Sequence, residues 1–105
     1  MSTGRLGTAD LSATTDTTVY TVPASSIGAF TVSMCNRTGS AILVRLSLAA
    51  SGTPAASEAI EFDSIVPANG VLERTGLVLE AGRLVVARAS AVGISVNVYG
   101  YEETV

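Results

Sequence analysis

Alternation of apolar and polar residues is the strongest pattern in the chain, and it is clearest between Ala29 and Leu48. Apolar side chains recur there at every second position: Phe30, Val32 and Met34, then Ile42, Val44, Leu46 and Leu48. A period of two is typical of a β-strand with one buried face. The polar stretch 36–40 lies between the two runs, so the segment is predicted to be an antiparallel hairpin closed by a turn.

Short apolar runs separated by turn residues continue to the end of the chain. The predicted strands are Thr17–Val22, Ala29–Cys35, Ala41–Leu48, Ala59–Phe62, Gly70–Arg74, Leu77–Leu79, Leu84–Ala89 and Ile94–Tyr101. Pro67–Gly70 and Glu80–Gly82 supply the Pro, Asn and Gly that tight turns need. No segment has a helical period. The predicted fold class is therefore all-β: a single antiparallel β-sandwich, jelly-roll or Ig-like, of about eight short strands.

The first sixteen residues lack this pattern and are rich in Ser, Thr, Gly and Ala. Few of their side chains could stabilise a packed element. Residues 1–16 are therefore predicted to form an extended N-terminal arm, and residues 17–105 the sandwich domain. Such arms commonly lie across a neighbouring subunit, and removing this one is expected to leave the fold intact. Residues 49–57 are predicted to be an exposed loop and a contact tip.

Composition suggests a protein that makes contacts rather than one that catalyses a reaction. Only 14% of the 105 residues are charged, against about 25% in a typical soluble domain, which suggests that part of the surface meets something other than water. All six cationic residues are Arg, whose planar guanidinium suits bidentate contacts. The net charge of −3 argues against a nucleic-acid partner. No apolar run approaches the length of a membrane span, so no membrane partner is expected.

Candidate catalytic chemistry is sparse. The chain has no His, the commonest general base and metal ligand, and its single Cys35 can form no intramolecular disulfide and is predicted to be a small packed thiol. Glu58, Glu61 and Asp63 cluster near one strand, with Glu61 and Asp63 on a shared face, and could support a carboxylate-based hydrolase or a hard cation. Pairing with Arg on a neighbouring strand is the commoner role of such carboxylates. No catalytic, cofactor-binding or metal site is predicted, and the protein is not expected to be an enzyme.

Several exposed residue types remain as candidates for protein contact. Arg45 and Arg88 each lie within an otherwise apolar strand, where a charge either forms an ion pair across the sheet or protects an edge. Tyr99 and Tyr101 alternate with core residues, so they either cap the sandwich or meet a partner. Glu102 and Glu103 are predicted to be a solvated end. The candidate contact residues are Arg5, Leu6, Leu11, Arg37, Arg45, Arg88, Tyr99 and Tyr101.

Asn36, Arg37 and Thr38 match a glycosylation sequon. The N-terminal residues contain no apolar core of the kind found in an export signal. Turn chemistry is the better explanation of an Asn at this position, because its short side chain hydrogen-bonds nearby backbone.

Between about Leu11 and Glu103 the chain resembles small virion structural proteins of tailed bacteriophages. The similar stretches are Thr14–Ala24, the strand end Cys35–Arg37, Ile65–Leu79 and Val96–Glu103. The resemblance implies a β-sandwich that serves as an accessory virion subunit. The version we favour is a capsid decoration or cement protein that binds the outer head surface, often as a trimer. Its implied partners are the major capsid protein or other virion subunits and further copies of itself, with no cofactor. Its implied location is the virion, after synthesis in the host cytoplasm.

Two other roles are compatible with the same sequence. A tail, collar or fibre-associated subunit is the first, and it could bind carbohydrate through a loop face, although the absence of Trp weakens that version. A host-directed binding module is the second, since a fold does not by itself specify a function.

Overall fold

The computed structural model of the chain describes residues 3–104, which form eight β-strands. The strands are β1 (Thr3–Asp10), β2 (Thr17–Thr21), β3 (Ser26–Asn36), β4 (Ile42–Ala49), β5 (Ala59–Val66), β6 (Val71–Leu79), β7 (Leu84–Ala89) and β8 (Ile94–Thr104). A single 3₁₀ turn, Ala56–Glu58, is the helical part of that range. None of the helical structure in residues 3–104 is long and apolar enough to cross a membrane. Two neighbouring predicted strands are in fact one, β6, and β5 runs four residues further than predicted.

The strands form two four-stranded sheets that pack face to face. Sheet I has the order β1-β8-β3-β6 and sheet II the order β2-β7-β4-β5, and neighbouring strands run antiparallel. The predicted all-β sandwich is thus confirmed. Among the eight strands, only β4 and β5 are both consecutive and paired; the other connections cross between the sheets. This order is that of a jelly roll, and it differs from the immunoglobulin arrangement.

The predicted hairpin between β3 and β4 is wrong. β3 pairs with β8 and β6 in sheet I, whereas β4 pairs with β7 and β5 in sheet II. The connection 37–41 is therefore an arch between the sheets. A period of two identifies which face of a strand is buried, but an arch and a hairpin both satisfy that pattern, so the pattern leaves the pairing partner open.

Asn36 holds this arch in place. Its side chain is 1% exposed, and its Nδ2 donates to the carbonyl oxygens of Ser40, Val66 and Pro67 at 2.8–3.1 Å. Its Oδ1 accepts from the backbone N–H and the hydroxyl of Thr38 at 2.9 and 2.7 Å. These bonds join the β3–β4 arch to the β5–β6 turn. The turn role predicted for Asn36 is confirmed.

The N-terminal segment differs from the predicted arm. Residues 3–10 form β1, which pairs along β8 from Thr3 opposite Tyr101 to Asp10 opposite Ser95. Composition did not reveal this strand because pairing along β8 holds it in place, with only Leu6 and Ala9 packed against the core. Gly7 allows the close approach: a Cβ there would lie 2.2 Å from the carbonyl oxygen of Val19.

The core between the sheets is built mainly of Val, Leu and Ile, with Tyr20 and Phe30 in edge-to-face contact at 5.7 Å between ring centroids. The Tyr20 hydroxyl donates to Glu102 Oε2 at 2.7 Å, and both residues are buried. Glu102 is therefore part of the interior, which corrects the prediction of a solvated end. Strand alternation explains this, because Glu102 has the same inward parity as Val98. Burial, followed by the hydrogen bond to Glu102, raises the pKa of Tyr20 well above its usual value.

A β-bulge or register shift interrupts the ladder at each edge strand of the two sheets. The shifts occur in the pairs β1–β8, β2–β7, β3–β6 and β4–β5. The two central ladders, β3–β8 and β4–β7, run without interruption. Bulges twist an edge away from the flat geometry that another strand would need for pairing. The edges of this sandwich are therefore poor templates for association.

Candidate functional site

The outer face of sheet II carries a cluster of four charges, which we call the arginine face: Arg45, Arg88, Asp16 and Asp63, together with the ring of Phe62. Arg45 on β4 lies directly opposite Arg88 on β7, an arrangement that is unfavourable for like charges. Two carboxylates neutralise the pair. Arg45 Nε is 2.8 Å from Asp63 Oδ1, and Arg88 Nη1 is 3.9 Å from Asp16 Oδ1.

A bulge in β5 creates the setting of Arg45. Val44 pairs with Ser64 and Leu46 pairs with Glu61, so Phe62 and Asp63 together oppose Arg45. Asp63 has a φ of +53°, the left-handed conformation that Asp tolerates better than most residues. The Arg45 Cζ lies 4.1 Å from the centroid of the Phe62 ring, within range of a cation–π contact. The guanidinium is thus held by a carboxylate and an aromatic ring at once.

The charges on the arginine face stabilise one another's ionised forms. The hydrogen bond from Arg45 holds the pKa of Asp63 below its usual range, and the charge of Arg88 lowers it further. The hydrogen bond to Asp63 in turn raises the pKa of Arg45. Two shallow depressions of about 90 and 100 Å³ lie beside Arg45 and Arg88. Small-molecule sites are usually cavities of about 300–1,000 Å³, so this face suits side chains of a partner surface better than an enclosed substrate.

The outer face of sheet I carries the second candidate surface, which we call the tyrosine face: Tyr99, Tyr101, Ala29, Thr31 and Val78. Tyr101 and Val78 lie on either side of Ala29 in the register of the sheet, and they are 51% and 60% exposed. Tyr99 lies opposite Thr31 and is 40% exposed. A shallow depression of about 310 Å³ lies over the small residues Ala29 and Thr31.

Tyr99 is held in place on this face by a hydrogen bond. Its hydroxyl donates to Glu73 Oε2 on β6 at 2.7 Å, reaching across β3. That hydrogen bond raises the pKa of Tyr99, because it favours the protonated phenol.

The candidate contact residues form two groups, and three of them lie apart from both. Arg45 and Arg88 share the arginine face, while Arg5, Tyr99 and Tyr101 share the outer face of sheet I, where Arg5 is paired in register with Tyr99. Arg37 lies at one end of the sandwich and forms an exposed ion pair with Asp10 at 2.5 Å. Leu6, at the β1 bulge, is half-buried against the core.

The prediction that Leu11 contacts a partner is wrong. It is only 2% exposed, and it belongs to the core just after β1. Its backbone N–H donates to the carbonyl oxygen of Ile94 at 3.0 Å. Leu11 therefore stabilises the fold and is not available to a partner.

The three clustered carboxylates do not converge. Glu61 pairs with Arg74 and accepts a hydrogen bond from the Ser64 hydroxyl, whereas Asp63 points to Arg45. Glu58 accepts the backbone N–H groups of Ala50 and Ala55 and so closes the loop after β4. The prediction that Glu61 and Asp63 share a face is wrong because the bulge at 62–63 shifts the alternation by one residue. Within residues 3–104 no group of three or more Asp, Glu, Cys or His side chains is arranged to hold a metal ion.

The two faces lie on opposite sides of the sandwich and differ in chemistry: one presents arginines braced by carboxylates, the other tyrosines beside small residues. Comparison of the chain with protein-family models, with curated proteins and with solved structures finds no match. The geometry of these two faces is therefore the basis for proposing a role.

Proposed function

We propose that the protein is a non-enzymatic structural subunit of a tailed bacteriophage virion, a capsid decoration or cement protein that binds the outer head surface through its arginine face. The observation that carries the proposal is Arg45, which the β5 bulge fixes between Asp63 and the exposed ring of Phe62. Arg and aromatic residues are enriched at the centres of protein interfaces. A side chain that is already ordered loses less conformational entropy on binding.

The arginine face has donors left for a partner. Arg88 approaches Asp16 only to 3.9 Å, so its guanidinium can also donate to a carboxylate or carbonyl group on the major capsid protein. Phe62 is 61% exposed and supplies apolar area beside it. A polar contact next to an exposed aromatic ring is a common arrangement at interface hot spots.

The architecture and the sequence resemblance support the same role. Jelly rolls recur in viral capsid domains and also in lectins, so the fold alone does not decide between them. The resemblance of residues 11–103 to small virion proteins favours a virion subunit over a lectin. A subunit that binds only the assembled lattice stabilises it by mass action, because its binding free energy is lost when the lattice opens.

The proposal can be tested by titrating the purified protein onto phage heads that lack it. Arg45→Ala and Phe62→Ala are each expected to weaken binding at least about tenfold, equivalent to about 1.4 kcal/mol. Arg37→Ala is the matched control, since it removes an exposed ion-paired arginine from outside both faces. Circular dichroism and thermal unfolding would establish that all three variants fold.

Three outcomes would overturn the proposal. The first is binding of the Arg45 and Phe62 variants as tight as that of the unaltered chain. The second is equal weakening by the Arg37 control, which would show a general loss of charge rather than a specific site. The third is failure of the unaltered chain to bind heads while it binds isolated tails, which would assign it to the tail instead.

A further inference from the structure

We infer that the tyrosine face is a self-complementary interface that binds a second copy of this chain, related by a twofold axis parallel to the strands and running between β8 and β3. The inference does not depend on the proposed function, because it concerns the isolated protein.

Edge-to-edge pairing is the common alternative by which β-sandwiches associate, and the edges argue against it. Each edge strand of the two sheets has a bulge or register shift in its ladder. A bulged edge offers an irregular row of N–H and C=O groups to a second strand. Association through a sheet face is therefore favoured over extension of a sheet.

Side-chain size on the tyrosine face is arranged for face-to-face packing. β8 carries the large residues Tyr99 and Tyr101, and neighbouring β3 carries the small residues Thr31 and Ala29 at the same levels. Rotation about the stated axis places β8 of one copy over β3 of the other. Tyr101 then enters the depression over the second copy's Ala29, and Tyr99 lies over its Thr31. In an isologous interface each of these contacts occurs twice.

The same rotation brings opposite charges of the two copies close together. Five of the six arginines form ion pairs within residues 3–104, and Arg5, exposed on β1, is the one for which no such pair is formed in that range. The axis that superposes β8 on β3 also superposes β1 on β6, which carries Glu73. Tyr99 hydrogen-bonds Oε2 of Glu73, and Oε1 accepts no side-chain hydrogen bond from residues 3–104. Arg5 of each copy can therefore reach Glu73 of the other.

The sheet is large enough for a stable contact. Four strands about 4.8 Å apart and about ten residues long cover roughly 19 by 34 Å, on the order of 650 Å² in projection. A standard interface buries about 800 Å² of accessible surface per partner. Accessible area exceeds flat projection because side chains protrude, so the area of sheet I is of the size that a standard interface needs.

The arginine face is a weaker candidate for self-association. Its charges are already paired within one chain, Arg45 with Asp63 and Arg88 with Asp16. A second copy would gain little charge complementarity there.

Sedimentation equilibrium of the full chain between about 1 and 100 µM is the test. The expected molar mass at the upper end is twice the chain mass of 10.6 kDa. Arg5→Glu and Glu73→Arg are each expected to raise the dimer dissociation constant at least tenfold by placing like charges together. The double variant, Arg5→Glu with Glu73→Arg, is expected to bind at least about threefold more tightly than the Glu73→Arg variant, with the remaining loss due to the missing Tyr99–Glu73 hydrogen bond.

One variant at an exposed position on each sheet tests which sheet face forms the dimer. Tyr101→Arg is expected to give a monomer, because it places a charge in the Ala29 depression of the second copy. Ile65→Arg, on sheet II, is expected to leave the dimer unchanged, and Ile65 is 65% exposed. Unfolding curves for all variants distinguish loss of association from loss of fold.

The inference is overturned if the unaltered chain is a monomer at 100 µM or has the mass of three chains. It is also overturned if the double charge exchange restores nothing, or if Ile65→Arg dissociates the dimer and Tyr101→Arg does not.

Discussion

Tyr20 and Glu102 join the two sheets from inside the sandwich, since one lies on β2 and the other on β8. The pKa of Tyr20 is raised in the folded chain above the value of about 10 that an unfolded chain has. A raised pKa means that the fold favours the protonated phenol. The stability from this group is present in full below pH 10 and is lost as pH rises above 10 toward the folded-state pKa.

Replacing Tyr20 by Phe removes the hydrogen bond while keeping the ring contact with Phe30. The free energy of unfolding at pH 8 is expected to fall by about 1–2 kcal/mol, the usual effect of losing a buried hydrogen bond. Urea unfolding at pH 8 and pH 11 should show that the free energy of unfolding falls less between these pH values for the variant than for the unaltered chain. Tyr101→Phe, at an exposed position, is the control. An equal fall in the free energy of unfolding at high pH, with and without the Tyr20 hydroxyl, would show that this hydroxyl does not cause the pH dependence.

Asn36 is the residue on which two inter-sheet connections depend. Asn36→Ala removes hydrogen bonds to Ser40, Val66, Pro67 and Thr38 and leaves buried polar groups without partners. The free energy of unfolding is expected to fall by about 2–4 kcal/mol, measured by urea titration. Asn97→Ala, on the outer face of β8, is expected to change it by less than about 0.5 kcal/mol. Similar effects at the two positions would show that Asn36 does not hold the arch.

For the strands, the spacing of apolar residues predicted which face is buried more successfully than it predicted which strands pair. Phe30, Val32 and Met34 are buried as predicted, and β7 has the predicted bounds. The partner of β3 could not be read from that spacing, because arches and hairpins present the same alternation. β1 was missed for a related reason: its stability comes from β8, which lies some ninety residues away in sequence and contributes nothing to local composition.

For the candidate contact surfaces, too, the sequence indicated which side chains face outward but not which of them lie together. Tyr99, Tyr101 and Arg45 face outward, as their alternation with buried neighbours indicates. The role of Phe62 beside Arg45 depends on a bulge, which adds one residue and reverses the faces of those that follow. A count of alternating positions cannot place such an insertion.

Docking of β1 can be tested at Gly7. Gly7→Ala is expected to lower the free energy of unfolding by about 1–3 kcal/mol, because the new methyl group would collide with the Val19 carbonyl. Gly39→Ala is the matched control, since a Cβ there would have no neighbour within 4 Å. Thermal unfolding of both variants measures the difference. A Gly7 variant as stable as the Gly39 variant would mean that β1 does not lie closely against β2.

The open side of the sandwich between β5 and β6 is closed by Glu61 and Arg74. The hydrogen bond from Ser64, and then that from Arg74, holds the pKa of Glu61 below its usual range. Stability from a carboxylate with a lowered pKa is present above the unfolded value of about 4.3 and is lost as pH falls through the folded value. Glu61→Gln is therefore expected to lower the urea midpoint at pH 7 and to differ little from the unaltered chain at pH 3. A difference of equal size at both pH values would show that the ionised Glu61–Arg74 pair is not the source of this stability.

At the scale of the whole molecule, the two faces point in opposite directions. In the twofold dimer the tyrosine faces are covered and the two arginine faces lie outward on either side. If the proposed function holds, such a dimer joins two capsid subunits that stand on either side of it, one against each arginine face. Bivalent attachment raises apparent affinity by about 10²–10⁴ where the geometry allows both contacts.

Tyr101→Arg is expected to weaken attachment to heads even though it leaves the arginine face unaltered, because the monomer binds through one contact only. Quantitative binding to heads measures this effect, with Val92→Arg as the control, because Val92 is exposed in the connection between β7 and β8 and lies on neither face. If the monomeric variant binds heads as tightly as the dimer, the two arginine faces do not act together.

The proposed place of the chain in the phage head can be tested by quantitative mass spectrometry of purified virions, separated into heads and tails. We expect the chain on heads, in a fixed ratio to the major capsid protein and in many copies per particle. Recovery of the chain only with tails, in a handful of copies, or its absence from purified particles, would overturn the proposed function.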